Sequence, residues 1–296
     1  MVSIAVAATL NWGCAGTQSK AKRPSGPPVP LLTATKQDLI ARYNSQAEAI
    51  TSLNAGVTMT LTAGSAYTGL IKQYHEISGY ILAQKPASIR VIGQAPVVGT
   101  NIFDMESDGE MFHIFVPSQN KFISGPTNMA RPSAKPIENL RPQHLIGAIF
   151  WRPIPAQDLV LLEEASEGAS HYYVITEARP ASGTGSAAAS DWEIARKIWF
   201  DRSHLSVTRI ETYEAGGKLG SDIRYTGWDT FGTEKYPRQI ALERPGDDYQ
   251  LQIGITKIAF NEAIAADRFV LRQPAGTELV NVGDESQGTK PQEQRP

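Results

Sequence analysis

Among 296 residues there is one cysteine, Cys14. A single thiol excludes an internal disulfide framework and any metal site built from several thiolates. No apolar run approaches the roughly 20 residues of a membrane-crossing helix. Charge is balanced, at −2 overall with 20% charged residues, so there is no basic stripe to hold nucleic acid. Catalytic signatures are missing as well: there is no H-E-x-x-H and no G-x-S-x-G. The five histidines, His75, His113, His144, His171 and His204, stand singly, and a lone histidine on a strand is ordinarily a surface or core residue. The adjacent pairs Glu163-Glu164 and Asp247-Asp248 would face opposite ways on a strand. The glycines of segment 179–191 precede no helix pattern and make no phosphate cradle. With no catalytic set, no metal cluster and no cofactor motif, the chain reads as a non-enzyme.

What is present begins at the N-terminus. Residues 1–10, MVSIAVAATL, resemble the apolar core of a secretory signal, and Gly13-Cys14 resembles the end of a lipobox. Asn11 stands where leucine is usual, and no basic residue precedes Lys20, which an upstream start would explain. Cys14 is therefore the expected lipidation site, residues 1–14 being the signal and lipobox. Residues 15–34 are rich in proline, serine, glycine and lysine and read as an extended tether without a core of its own. A polar tail is expected over 283–296, which leaves 35–282 as a single domain.

One helix opens that domain. Thr35 and Asp38 have capping-box spacing, and Leu39, Ile40, Tyr43, Ala47, Ile50 and Leu53 form one apolar stripe. Short strands separated by turn residues are expected over 55–62, 69–76, 78–85, 88–95, 100–107, 111–117 and 121–125. A long loop, 125–142, and the apolar run QHLIGAIFW, 143–151, interrupt them, the latter readable as a short helix. Strands resume over 159–165, 171–178, 191–202, 206–214, 220–228, 236–244 and 249–261. Connections this short predict an antiparallel meander that curls as it twists.

Several strands of the first run are apolar on both faces. Val91 alternates with Ile92, and Met111 and Phe115 alternate with Phe112, Ile114 and Val116. A sheet wetted on one face should alternate apolar with polar, so both faces must be covered. One cover is the opening helix. The other is a second layer or a cavity. The cavity reading makes Ile92, Phe103, Met105, Phe112 and Ile114 its lining and Leu145, Ile149 and Phe150 its lid. Trp199 is a further candidate for the lining.

Two stretches carry a family resemblance. KIWFDRSHLSVTRIETYEAGGKLGSDIRYTGW, 197–228, with Trp199, Asp201, Arg209, Tyr213 and Gly217, and FVLRQPAGTELVNV, 269–282, resemble the outer-membrane lipoprotein-sorting proteins, the LolA/LolB-like superfamily. The resemblance spans about 35–282, and this chain is longer than typical members. It implies a mainly β fold with few helices, a strongly curved antiparallel sheet forming an unclosed β-barrel capped by helices. It also implies an apolar hollow that binds lipid or lipoprotein acyl chains. Cys14 with its tether points to the anchored, LolB-like type, and the absence of aspartate after it fits the outer membrane. An envelope adaptor that docks a protein partner and has no cavity is the alternative.

Overall fold

Helix α1, Lys36–Ala49, starts where its capping residues place it. The Asp38 N–H donates to Thr35 Oγ1 at 3.2 Å and the Thr35 N–H to Asp38 Oδ2 at 3.0 Å, so the box closes in both directions. The helix stops before Leu53 because Ile50 is already extended (φ −109°, ψ 114°) and leads into a strand. The computed structural model describes residues 30–64, 72–73, 75–128, 141–181 and 192–282. Cys14, the tether to residue 29 and the tail from 283 lie outside them, as do most of the 125–142 and 179–191 loops. The chain divides into two units, residues 1–30 and 31–296, and the described helices and strands all belong to the second.

The first run of strands is β1, Ser52–Ala63; β2, Lys72–Gln73; β3, Ile77–Gln84; β4, Ser88–Gln94; β5, Asn101–Ser107; β6, Met111–Val116; and β7, Lys121–Pro126. Of the strand expected over 69–76, only Lys72–Gln73 pairs with β1 among the described residues. Helix α2, Pro142–Ile149, comes next. The second run is β8, Leu159–Glu167; β9, Ser170–Pro180; β10, Trp192–Asp201; β11, Val207–Tyr213; β12, Leu219–Phe231; β13, Glu234–Arg244; β14, Tyr249–Phe260; and β15, Glu278–Asn281.

All pair into one mainly antiparallel, curved and unclosed sheet. Its order is β15-β7-β6-β5-β4-β3-β1-β14-β13-β12-β11-β10-β9-β8, with β2 attached to β1. β1 is the junction, because it pairs with β3 on one side and with β14, the end of the second run, on the other. Directly opposed residues share a face, so the pairing sets two apolar rows on the concave side. One runs Ala55, Ile81, Val91, Met105, Ile114, Ile123. The other runs Ile175, Ile198, Ile210, Ile223, Leu242, Leu251. Both helices lie against this face, and the buried core is continuous across it.

The convex face of β3–β6 has a partial cover of its own. After β14 the chain runs back over it as a strap, residues 261–277, and ends in β15, which adds parallel to β7. The strap is pinned at its start by Ser52 Oγ donating to Glu262 O (2.9 Å) and in its middle by Arg90 Nη1 donating to Arg268 O (3.0 Å). Its end is fixed by the Val282 N–H donating to Ser124 O at 2.8 Å. The strap meets β4 and covers part of this face, while Tyr80 and Met111 on it stay exposed. Contrary to expectation, α2 rather than α1 covers β4 and β5 from inside.

Candidate functional site

The site is the concave face together with the segment that occupies it, residues 142–154. Pro142 opens α2 at a position where its missing N–H costs nothing, and Arg141, the residue before it, makes no side-chain cap. Leu145, Ala148 and Ile149 point into the core, with Leu145 fully buried. The helix ends at Phe150, whose N–H still reaches Ile146 O at 2.8 Å. Pro153 and Pro155 then keep the chain extended. Trp151 is shared by the two helices' surroundings. It stacks on Tyr43 of α1 at 5.2 Å between centroids and meets Tyr225 and Trp228 edge-on at 5.5 and 5.9 Å.

An irregular backbone buried in this way must find partners for its polar groups. Here the side chains of the sheet and of α1 supply them. Tyr225 OH donates to Ala148 O at 2.9 Å and Tyr236 OH to Ile149 O at 3.0 Å. Arg196 donates from Nη1 to Arg152 O at 2.6 Å and from Nη2 to Pro153 O at 3.0 Å. Asn44 of α1 holds Ile154 by both of its backbone polar groups, accepting from its N–H at 2.8 Å and donating to its carbonyl at 3.2 Å.

Arg196 is itself buried and paired with the fully buried Glu177 on the neighbouring strand, and it also donates to Tyr43 OH at 3.0 Å. Burial pushes the Glu177 carboxyl up while Arg196 pulls it down. Burial pushes the Tyr43 phenol up to about 12 and that of Tyr225 well above its usual value. These phenols therefore stay neutral donors. At the start of α2, His144 Nδ1 lies 2.7 Å from Tyr249 OH. Burial, with Arg244 and Arg141 nearby, holds His144 down at about 3. Asp247 lies 3.9 Å from it but is already engaged by Arg244 Nε at 2.8 Å.

Among the described residues, side chains of α1, α2 and residues 150–154 pack against the concave face, and a cleft between Gln46, Ile50, Phe150, Trp151 and Tyr236 measures about 10 Å³, room for one water molecule. Phe103, Met105, Phe112 and Ile114 project from the concave face as a group. The ring of Phe103 lies over Gly93, where a Cβ would collide with it. Leu145, Ile149 and Phe150 are buried against the same face. Ile92 and Trp199, expected beside them, sit on the opposite side. Ile92 pairs with Asp104, so it takes the convex parity. Trp199 pairs with Arg209, whose guanidinium lies 5.3 Å over its ring, and its indole N–H donates to Glu211 Oε2 at 2.9 Å.

No sequence motif singles out the donors Arg196, Tyr225 and Tyr236 or the clamp Asn44. The available signal is tyrosines and an arginine on concave positions among isoleucines, because a buried polar tip needs a partner. Among the described residues no three His, Cys, Asp or Glu side chains gather as a metal-ligand set.

No family model and no curated protein sequence matches the chain. Several solved structures resemble it in chain trace. One is a LolA superfamily protein from Nitrosomonas europaea, with 15% identity and a TM-score of 0.48 over 81% of this chain and 99% of that one. Another is a DUF1329 family protein from Desulfovibrio piger, with 13% identity and a TM-score of 0.49 over 79% and 95%. A third, from Vibrio parahaemolyticus, is described as an outer membrane lipoprotein-sorting protein domain, with 11% identity and a TM-score of 0.47 over 78% and 94%. At such identities and scores the likeness assigns neither cargo nor role.

Proposed function

We propose that this is an envelope protein that binds lipid or lipoprotein acyl chains by exchange: residues 142–154 occupy the hollow until an acyl chain takes their place. The observation that carries the reading is that an apolar concave face of a whole curved sheet is closed, over β4, β5 and β13, by one eight-residue helix and a short extended run rather than by a second sheet. On apolar burial alone the exchange is close to balanced. Burying Leu145, Ile149, Phe150, Trp151 and Ile154 contributes on the order of 10 kcal/mol at about 1.5–3 kcal/mol per large side chain. A palmitoyl chain gains about the same, at roughly 0.8 kcal/mol per CH₂. A carrier needs that near-equality, since it must take up its load and also release it.

Attachment to the outer membrane through Cys14 belongs to the same proposal. It is supported by the apolar run before Cys14 and the proline-rich stretch after it. The full chain with Cys14→Ser, purified without added detergent, tests the binding itself. Native mass spectrometry should find co-purified lipid, and the neutral dye N-phenyl-1-naphthylamine should brighten on addition. A chain free of lipid that also leaves the dye dark would sink the exchange reading.

The packing of α1 and α2 against the concave face supports a second reading: an adaptor with a permanent core that docks a protein partner. That is the outcome the lipid-free, dark-dye result would select. In either case fractionation of Cys14→Ser cells should move the protein from membranes to the soluble fraction. An unchanged distribution removes the anchor.

A further inference from the structure

Three buried side chains of the concave sheet, from three different strands, spend four hydrogen-bond donors on the backbone of one short segment. Tyr225 and Tyr236 donate to the carbonyls of 148 and 149, and Arg196 donates to those of 152 and 153. The donors are 1%, 4% and 5% exposed. When the segment leaves, as the exchange reading requires, these four hydrogen bonds are lost together, and Nη1 keeps only its bond to Tyr43 OH. A saturated hydrocarbon entering the hollow could replace none of them, and a buried donor without a partner is strongly disfavoured. The occupant must therefore bring oxygen acceptors of its own.

Geometry narrows the choice. Glu177 already takes Arg196 Nε and Tyr43 OH takes one hydrogen of Nη1, which leaves Nη1 and Nη2 each with a donor for two acceptor atoms, the arrangement that suits a carboxylate or a carboxylic ester. A quaternary ammonium head brings no acceptor atom and leaves these donors unpaired. We infer that the hollow takes an amphiphile whose polar part carries acceptor oxygens and no positive charge, a fatty-acid carboxylate or a fatty ester, seated at Arg196. Its chain then lies along the concave rows. This rests on the exchange reading and specifies the ligand for it.

The test uses the full chain carrying Cys14→Ser, loaded with N-phenyl-1-naphthylamine. Three competitors of equal chain length are compared: palmitate, monopalmitoylglycerol and hexadecyltrimethylammonium. Palmitate and the glyceride should displace the dye at concentrations at least about tenfold lower than the ammonium. Palmitate leading the glyceride marks a free carboxylate as the natural partner, and the reverse order marks an ester. In Tyr225→Phe/Tyr236→Phe, which keeps both rings, the dye should still bind while the advantage of the oxygen-bearing competitors shrinks several-fold. Arg196→Lys, which keeps the charge beside Glu177 but not the fork, should reduce the palmitate advantage by a similar factor. Equal displacement by all three compounds, or an advantage unchanged in both variants, overturns the assignment and leaves the exchange reading intact. Failure of the dye and of every competitor to enter removes the exchange reading, and the assignment with it.

Discussion

Helix α1 satisfies its own first turn through Thr35 and Asp38 and buries a regular stripe, Leu39, Tyr43 and Ala47. Helix α2 does neither so completely. It is eight residues long, has no side-chain cap, and together with the run after it hands its carbonyls to tyrosines and an arginine of the sheet. Two helices on one concave face are thus held by different means. The first is specified locally and then packed. The second is completed by the sheet, so on the exchange proposal α2 is the element that leaves and α1 the one that stays.

Substitutions on either side probe that contrast. The largest effect should come from Glu177→Ala, because Arg196 serves both helices, bonding Tyr43 of α1 and the carbonyls of 152 and 153. Leaving its charge buried without a carboxylate should cost about 3–5 kcal/mol in urea unfolding. Next, Leu39→Ala should lower global stability by about 2–5 kcal/mol, as buried leucine truncations do. Leu145→Ala should act first on its own neighbourhood, with hydrogen-exchange protection at 142–150 lost well before global unfolding. If both variants lower the urea midpoint alike and leave local protection uniform, α2 is as permanent as α1 and the contrast fails.

A smaller effect depends on pH. His144 is held neutral at about 3 in the folded state, whereas in the unfolded chain it titrates near its ordinary value. The unfolded state therefore binds the extra proton, and stability falls as pH drops below about 6.5. Between pH 7 and pH 5 the loss should be about 2 kcal/mol. His144→Gln should lack this component of the slope, as urea midpoints at the two pH values will show. The smallest effect should be that of Thr35→Ala, about 1 kcal/mol for a lost cap. Circular dichroism melts that move by no more than this, with dye binding unchanged, would keep α1 out of the exchange.

Much of this architecture can be read from residue order alone. Strand after strand lies close to where alternation and turn residues put it, and α1 starts at its capping box. The curvature and mainly β character follow from short connections between sequential neighbours. The α2 run is readable as a helix because Leu145, Ile149 and Phe150 are apolar in an otherwise loop-like region. Two things are not legible. One is parity: Ile92 and Val91 are equally apolar, and only the pairing of Val91 with Met105 and of Ile92 with Asp104 separates them. The other is the return of 261–277 over the outside, a long-range placement that no local periodicity encodes. The donors Arg196, Tyr225 and Tyr236 are hidden for a related reason, since their partners are main-chain carbonyls far away in the sequence.

The strap has a consequence for how the molecule is made. Strands β3 to β6 leave the ribosome early, yet their outer layer is the last part of the domain to be synthesised, and β1 waits for β14 on its other side. Until the C-terminal segment has emerged, the first-made half of the sheet lacks both the strap, whose carbonyl of Arg268 accepts from Arg90, and its outermost partner strand β15.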